Sequence, residues 1–359
     1  MENKLLILNE KIPWMGEHSG YDKLFIQIND KLDTKSTILN IDRDTPPNLL
    51  LRKLISPLIK YGKNYSHMYD YNLLKTELKL IYYLKLLNYR LLHITFLERN
   101  YGILRRFITG DSLKLVSTAH QPPSWWKQIG RDPAIVSTLD YLITMSKKQS
   151  DFFEQFLPGR VSFVPHAVDT DFFKPANGSR NLSNPSCVFC GTWLRDFSSL
   201  EKIIKKVISR NKSIRFDLII PNTDSQKHNE YIRKIARHDE VRFHSGLNNK
   251  ELLELYQQST MLVLPILDAT ANNALLESIS CGLPVVSNSV GGIVDYVNND
   301  FAYLHENGDI SSFVDSIFKI VDEDTAWEKR SNCAREYSVN NLSLELISEK
   351  TMEIYKNIQ

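Results

Sequence analysis

Residues 263–295 read VLPILDATANNALLESISCGLPVVSNSVGGIVD, and the order of their parts decides the fold. VLPIL closes an apolar run that begins at Met261, DATANN is a loop of small polar residues, ALLESISC is a helix, and LPVVS is the next strand. Strand, helix and strand in such close succession imply a parallel sheet with a helix laid over one face. The helix start opens onto the loop. Its first N–H groups have no partner inside the helix and carry partial positive charge, which suits a diphosphate. Asn272, Asn273 and Ala274 stand at that start. Glu277 follows one turn later, where a carboxylate can accept both hydroxyls of a ribose. Many dinucleotide sites share this arrangement, so by itself it points only to a nucleotide.

The same alternation extends outward on the N-terminal side. Strands are expected at 187–191, 216–221 and near 241–244, and helices at 200–209 and 249–258. Before them, VSFVPHAVDTDFFKP (161–175) starts as a strand, ends as an extended turn rich in Pro and Asp, and reads as an inter-domain linker. The first half opens with the apolar strand KLLILN, the Gly-containing loop IPWMGEHSGYDKLF and a helix over 21–32. A helical stretch follows over 48–92, and short strands recur at 91–96, 115–118 and 141–144. Leu344, Ile347, Ile354 and Tyr355 put an amphipathic helix at the end. A chain of 359 residues accommodates two domains, expected at 1–168 and 169–339, with the helix of about 340–359 packing back on the first.

LLESISCGLPVVSNSVGG resembles the C-terminal signature of retaining GT-B glycosyltransferases of the family-4 type, glycosyl transferases group 1. Three other stretches agree in order: PHAVDTDFFKP resembles the family's inter-domain segment, VRFHSGLNNKELLELYQQSTMLVLP its run past the nucleobase, and VSTAHQPP its histidine after an N-domain strand. The resemblance spans about residues 90–320. It implies a GT-B fold, two Rossmann-like α/β domains whose parallel sheets face each other across a cleft. It also implies transfer of a sugar from a nucleotide-diphosphate sugar to an acceptor hydroxyl, with retention and without a metal. The donor contacts it implies are Gly191, Arg195, Asn272, Asn273, Ala274 and Glu277, with His120 beside the donor sugar. Gly16, Ser19 and Gly20 would form the loop near phosphates and acceptor. His120, Arg195 and Glu277 are thus the catalytic candidates.

The sequence also departs from the family. A second glutamate often stands eight positions before the ribose carboxylate, but here that position is Ala269, beside Asp268. The arginine and lysine that usually follow the first C-domain strand are represented in GTWLRDFSS by Arg195 alone. Arg195 is either a diphosphate clamp or a surface residue at a helix start. Trp125 and Trp126 either stack on an acceptor or pack locally. His93, in LLHITF, reads as a core residue, and His166 as a hinge or structural one.

Composition narrows the classes further. No apolar run approaches the ~20 residues of a membrane-spanning helix, and MENKLLILNEKIP does not look like a secretory signal. Four cysteines are too few for a disulfide framework, and the CxxC of Cys187 and Cys190 lies in the apolar run SCVFCG, which reads as a strand. A reducing cytoplasm fits, with or without attachment to a membrane surface. Asp42-Arg43-Asp44 looks like a surface turn and Asp169-Thr170-Asp171 belongs to the linker, so neither is expected to bind metal, and no cofactor is expected. Residues 1–175 carry a balance of +6 and the remainder −4; between Leu49 and Phe107, eleven basic residues meet only Asp70, Glu77 and Glu98. That stretch is either a solvated helical face or one that meets an anionic membrane. No nucleic-acid motif accompanies it, so a glycan or lipid-linked acceptor is the expected partner besides the donor. A nucleotide-sugar epimerase and a catalytically weak nucleotide-sugar-binding subunit remain the competing readings.

Overall fold

The computed structural model describes residues 5–10, 18, 20–32, 36–41, 48–63, 69–87, 89–104, 113–130, 132–176, 184–221, 229–322 and 324–358. They form two compact units. The first comprises Met1–Met15, Tyr21–Pro165 and Ile347–Gln359, and the second Gly16–Gly20 and His166–Leu346.

Unit 1 contains β1 (Leu5–Asn9), α1 (Tyr21–Lys31), β2 (Thr37–Asn40), α2 (Leu49–Leu54), α3 (Ser56–Gly62), α4 (Tyr71–Leu86), β3 (Leu91–Ile94), α5 (Leu97–Asn100), β4 (Lys114–Ala119), α6 (Pro123–Gln128), β5 (Tyr141–Thr144), α7 (Lys147–Glu154) and β6 (Val161–Phe163). Its strands form one parallel sheet in the order β2-β1-β3-β4-β5-β6. Every residue of β1 and β3 is buried, whereas the edge strands β2 and β6 are largely half-exposed. Continuous burial in central strands means that both faces are covered, as parallel connections require. The expected helical stretch of 48–92 is interrupted: Pro57 opens a separate α3, where a missing N–H costs nothing, and the stretch ends in β3.

Unit 2 contains β7 (Ser186–Cys190), α8 (Phe197–Arg210), β8 (Arg215–Ile219), α9 (Glu230–Ile235), β9 (Val241–His244), α10 (Asn249–Gln258), β10 (Met261–Leu264), α11 (Asn273–Ser280), β11 (Val285–Asn288), β12 (Ala302–His305), α12 (Ile310–Asp322) and α13 (Asp324–Leu342). Its parallel sheet runs β12-β11-β10-β7-β8-β9. In α8 the buried Leu200, Ile203, Ile204, Val207 and Ile208 recur every three or four residues, and the polar face stays in water. Each such side chain stabilises the unit by about 1.5–3 kcal/mol, so a charge at Ile204 would break the contact. A capping box of Asn248 and Glu251 starts α10. Cys187 and Cys190 lie in β7 as free thiols, and burial raises the pKa of both. β2 and β12 are not apparent in the sequence, because TILN and AYLH are short edge strands without a continuous apolar run.

The last helix, α14 (Leu344–Asn357), buries Ile347, Thr351, Ile354 and Tyr355. Within unit 1, Tyr355 is hydrogen-bonded to His93 Nδ1, and His93 Nε2 lies 2.8 Å from Thr118 Oγ1. His93 is fully buried, which lowers its pKa to about 3.

Candidate active site

In unit 2 the ends of β7 and β10 lie side by side. Their loops are stapled by backbone hydrogen bonds: Asp196 N–H donates to Pro265 O at 3.0 Å and Leu267 N–H to Leu194 O at 2.8 Å. Asn272 then caps α11, its Oδ1 accepting from Leu275 N–H at 3.2 Å. Asn273 and Ala274 occupy the first turn, whose amides cannot be paired within the helix.

Arg195 reaches this helix start. Its Nε donates to Cys190 O at 2.9 Å, Nη1 to Trp193 O at 2.8 Å, and Nη2 to Asn272 Oδ1 at 3.4 Å. The half-buried guanidinium is desolvated to a pKa of about 10 and remains cationic at neutral pH. Gly191 makes room for it. Its φ is +90°, and a Cβ there would come within 2.9 Å of Arg195 Nη2.

Glu277 is buried in the second turn of α11, and its Oε2 accepts from Tyr256 Oη at 3.0 Å. Burial first, then the neighbouring Cys190 and Glu277, raises the Tyr256 phenol well above its usual range, so it stays a donor. Burial and Glu277 likewise raise the Cys190 thiol to about 11, against the opposing pull of Arg195. The result is a cation and a helix start joined through Asn272, with a carboxylate one turn deeper. Such an array is chemically suited to an anionic group at one end and to hydroxyls at the other.

The Gly-Gly turn closes the loop from the other side. Gly291 has φ +51°, and a Cβ there would lie 2.3 Å from Ala269 O and from Asp268 Oδ1; Gly292 N–H donates to Ala269 O at 2.8 Å. Asp268 Oδ1 accepts from Ala269 N–H at 2.9 Å. A side chain at 291 would therefore push the loop aside.

In unit 1, His120 follows β4. Its backbone N–H donates to Glu98 Oε1 at 2.7 Å, and its Nε2 donates to Thr95 O at 2.7 Å. The ring is stacked on Phe96, with centroids 4.1 Å apart, and meets Tyr21 edge-on at 4.9 Å. The imidazole is thus held in one orientation, with Nε2 carrying a proton. Trp125 lies partly buried on α6 and packs against the unit 1 core. Gly20 is the half-buried residue before α1, while Gly16, Ser19 and the Asp42-Arg43-Asp44 triplet lie outside the described residues.

Two features are additional to those expected. Tyr256 looks in the sequence like any residue on one face of an amphipathic helix, so nothing local marks it. His18 is equally unmarked among its glycine neighbours: its Nδ1 is 2.7 Å from Asp169 Oδ2, and its ring is stacked on Phe172 at 3.5 Å. Asp169 also accepts from Phe172 N–H through Oδ1 at 3.1 Å. This use of Asp169 gives the Asp-x-Asp triplet a structural task. His166 is buried, with its N–H donating to Tyr296 Oη at 2.9 Å.

Comparison with known proteins then gives a likeness over part of the chain. Residues 184–323 match the family described as Glycosyl transferases group 1. The matched stretch holds every residue of the unit 2 array. Among similar curated proteins, D-inositol 3-phosphate glycosyltransferase of Thermobifida fusca is 23% identical over 253 residues, covering 64% of this chain and 58% of that protein. The phosphatidylinositol N-acetylglucosaminyltransferase GPI3 subunit of Saccharomyces cerevisiae is 22% identical over 212 residues, covering 56% and 46%. The chain thus spans less than two thirds of the length of these relatives. Sucrose-phosphate synthase from Thermosynechococcus elongatus superposes with a TM-score of 0.75 at 14% identity, covering 99% of each chain. Anabaena Alr3699/HepE, in complex with UDP and glucose, gives 0.72 at 13%, covering 99% of this chain and 100% of its own. The fold is GT-B.

Proposed function

We propose that the protein is a glycosyltransferase that moves a sugar from a nucleotide-diphosphate sugar to an acceptor hydroxyl, with retention and without a divalent metal. The observation that carries this reading is the hydrogen bond from Arg195 to the cap of α11, with Glu277 one turn beyond. Glu277 takes the ribose hydroxyls. Arg195 and the amides of Asn273 and Ala274 oppose the negative charge that grows on the leaving diphosphate, which is electrostatic catalysis by preorganised donors. HepE, whose structures are named as complexes with UDP and UDP-glucose, supports a nucleotide-diphosphate sugar as donor.

Retention rests on the family resemblance. In it the acceptor oxygen enters on the face that the diphosphate leaves, the new glycosidic bond forms as the old one breaks, and a diphosphate oxygen takes the acceptor proton. No protein nucleophile is then needed. We assign His120 to the donor sugar on the same resemblance, and its fixed Nε2–H suits an orienting role. The relatives' names support an acceptor carrying a polyol phosphate, free or lipid-linked.

A second reading is favoured by one observation: Ala269 stands where the family often presents a sugar-binding carboxylate, and the neighbouring Asp268 carboxylate accepts from the Ala269 N–H. Under that reading the chain is a nucleotide-sugar-binding subunit with weak turnover. A screen of nucleotide sugars against candidate acceptors, monitoring released nucleoside diphosphate, tests both. Acceptor-dependent release supports transfer, release or isomerisation without acceptor supports a hydrolase or epimerase, and tight binding without release supports the binding role.

A further inference from the structure

The helix α4 has two unlike faces. Leu73, Leu74, Glu77, Leu80 and Ile81 are buried against unit 1. On the other side Lys75, Leu78, Lys79, Tyr82, Lys85 and Leu86 are all exposed. At 100° per residue these six fall within an arc of about 120°. Leu78, Tyr82 and Leu86 are 41%, 62% and 61% exposed. The helix α3 packs on α4, and α2 packs on α3. There Leu49, Leu50 and Leu54 are still more exposed, beside the exposed Arg52 and Lys53. Half of the large apolar side chains exposed among the described residues belong to 49–87.

Among the described residues of α2 and α4, the exposed charges have one sign. The segment's two carboxylates are withdrawn from this face. Asp70 caps α4, accepting from Leu73 N–H at 2.8 Å. Glu77 is buried and accepts from Tyr69 Oη, from Gly102 N–H at 3.0 Å and from Ile103 N–H at 3.1 Å. An ordinary solvated helix face interleaves acids with its lysines and keeps leucines inward. A nucleic acid would engage the lysines but leave the leucines in water. A second copy would bring an equally positive stripe against this one in a two-fold contact. An anionic bilayer surface satisfies both components: leucines enter the boundary between headgroups and acyl chains, Tyr82 lies at headgroup depth, and lysines extend to the phosphates.

We propose that the α4 stripe, together with α2, docks on the surface of an anionic lipid bilayer. The inference is independent of the transfer reading, because vesicle binding needs neither donor nor turnover. The full chain is to be sedimented with phosphatidylglycerol-containing and with pure phosphatidylcholine vesicles at low and high salt. Binding to the anionic vesicles alone, weakened by salt, is expected. Combined Lys75→Glu, Lys79→Glu and Lys85→Glu should reduce it at least about tenfold. Leu78→Ser, Tyr82→Ser and Leu86→Ser together should also reduce it and leave the remainder fully salt-labile. These side chains are exposed, so thermal unfolding by circular dichroism should be little changed. The proposal is overturned by a folded chain that binds neither vesicle, by equal binding to both, or by binding insensitive to charge reversal. It is also overturned by a dimer in sedimentation equilibrium that the Leu78→Ser set dissolves, which would give the face to a second copy.

Discussion

Tyr256 Oη donates to Glu277 Oε2 at 3.0 Å, and both side chains are buried. One carboxylate oxygen is thereby oriented from α10 before any ligand arrives. Glu277→Ala should weaken binding of the preferred nucleotide tenfold to hundredfold, since a hydrogen bond to a charged group is worth about 1.5–3 kcal/mol. Tyr256→Phe should cost less, about fivefold, because the carboxylate remains but is less well held. Calorimetry with folded variants decides this; unchanged affinity in Glu277→Ala would remove Glu277 from the ribose.

Arg195 and Gly191 form a second coupled pair. Arg195→Ala should weaken a nucleoside diphosphate far more than the parent nucleoside. Equal losses on the two ligands would mean that Arg195 serves the loop alone. Gly191→Ala places a Cβ at φ +90° and 2.9 Å from Nη2. A cost of at least about 1–2 kcal/mol in stability is expected, together with a diphosphate-selective loss of affinity from the displaced guanidinium.

His120→Ala should lower turnover more than nucleotide affinity, with activity corrected for the folded fraction. The correction matters because His120 Nε2 also satisfies Thr95 O. An affinity loss as large as the loss in kcat would separate His120 from the donor sugar.

Transfer should persist in excess EDTA, because Arg195 and the α11 amides supply the positive field. Activity abolished by EDTA and restored by Mg²⁺ or Mn²⁺ would show that a cation carries the diphosphate.

His93 makes stability depend on acid. Its folded pKa is held near 3 by burial, below the ordinary value of 6.5. The unfolded chain therefore gains a proton that the folded chain refuses. This contribution is fully present above about pH 6.5 and is lost as pH falls toward 3. The unfolding midpoint should drop across that window, and His93→Gln should be less stable at pH 7 but show a shallower decline. An identical slope in both proteins would exclude His93 as a source.

The sequence by itself determined the alternation of strands and helices, the loop before α11, and the placement of Asn272, Asn273, Ala274 and Glu277 at its start. These are local properties: apolar runs, helical spacing and capping chemistry act within a few residues of one another. What joins the pieces was decided by tertiary structure. Arg195 meets Asn272 across 77 positions, Tyr256 meets Glu277 across 21, and His18 meets Asp169 across 151. No local pattern marks such partners, because a hydrogen bond needs two groups brought together by the packing of whole elements. The same holds for α4, whose sequence YNLLKTELKLIYYLKL has leucines on every side. Leu73, Leu74 and Leu80 are buried while Leu78 and Leu86 are exposed, although the residue type is the same. Apolar attraction has no direction of its own, so the sheet and helices against which α4 packs chose the buried face and left the other, with its lysines, uncovered.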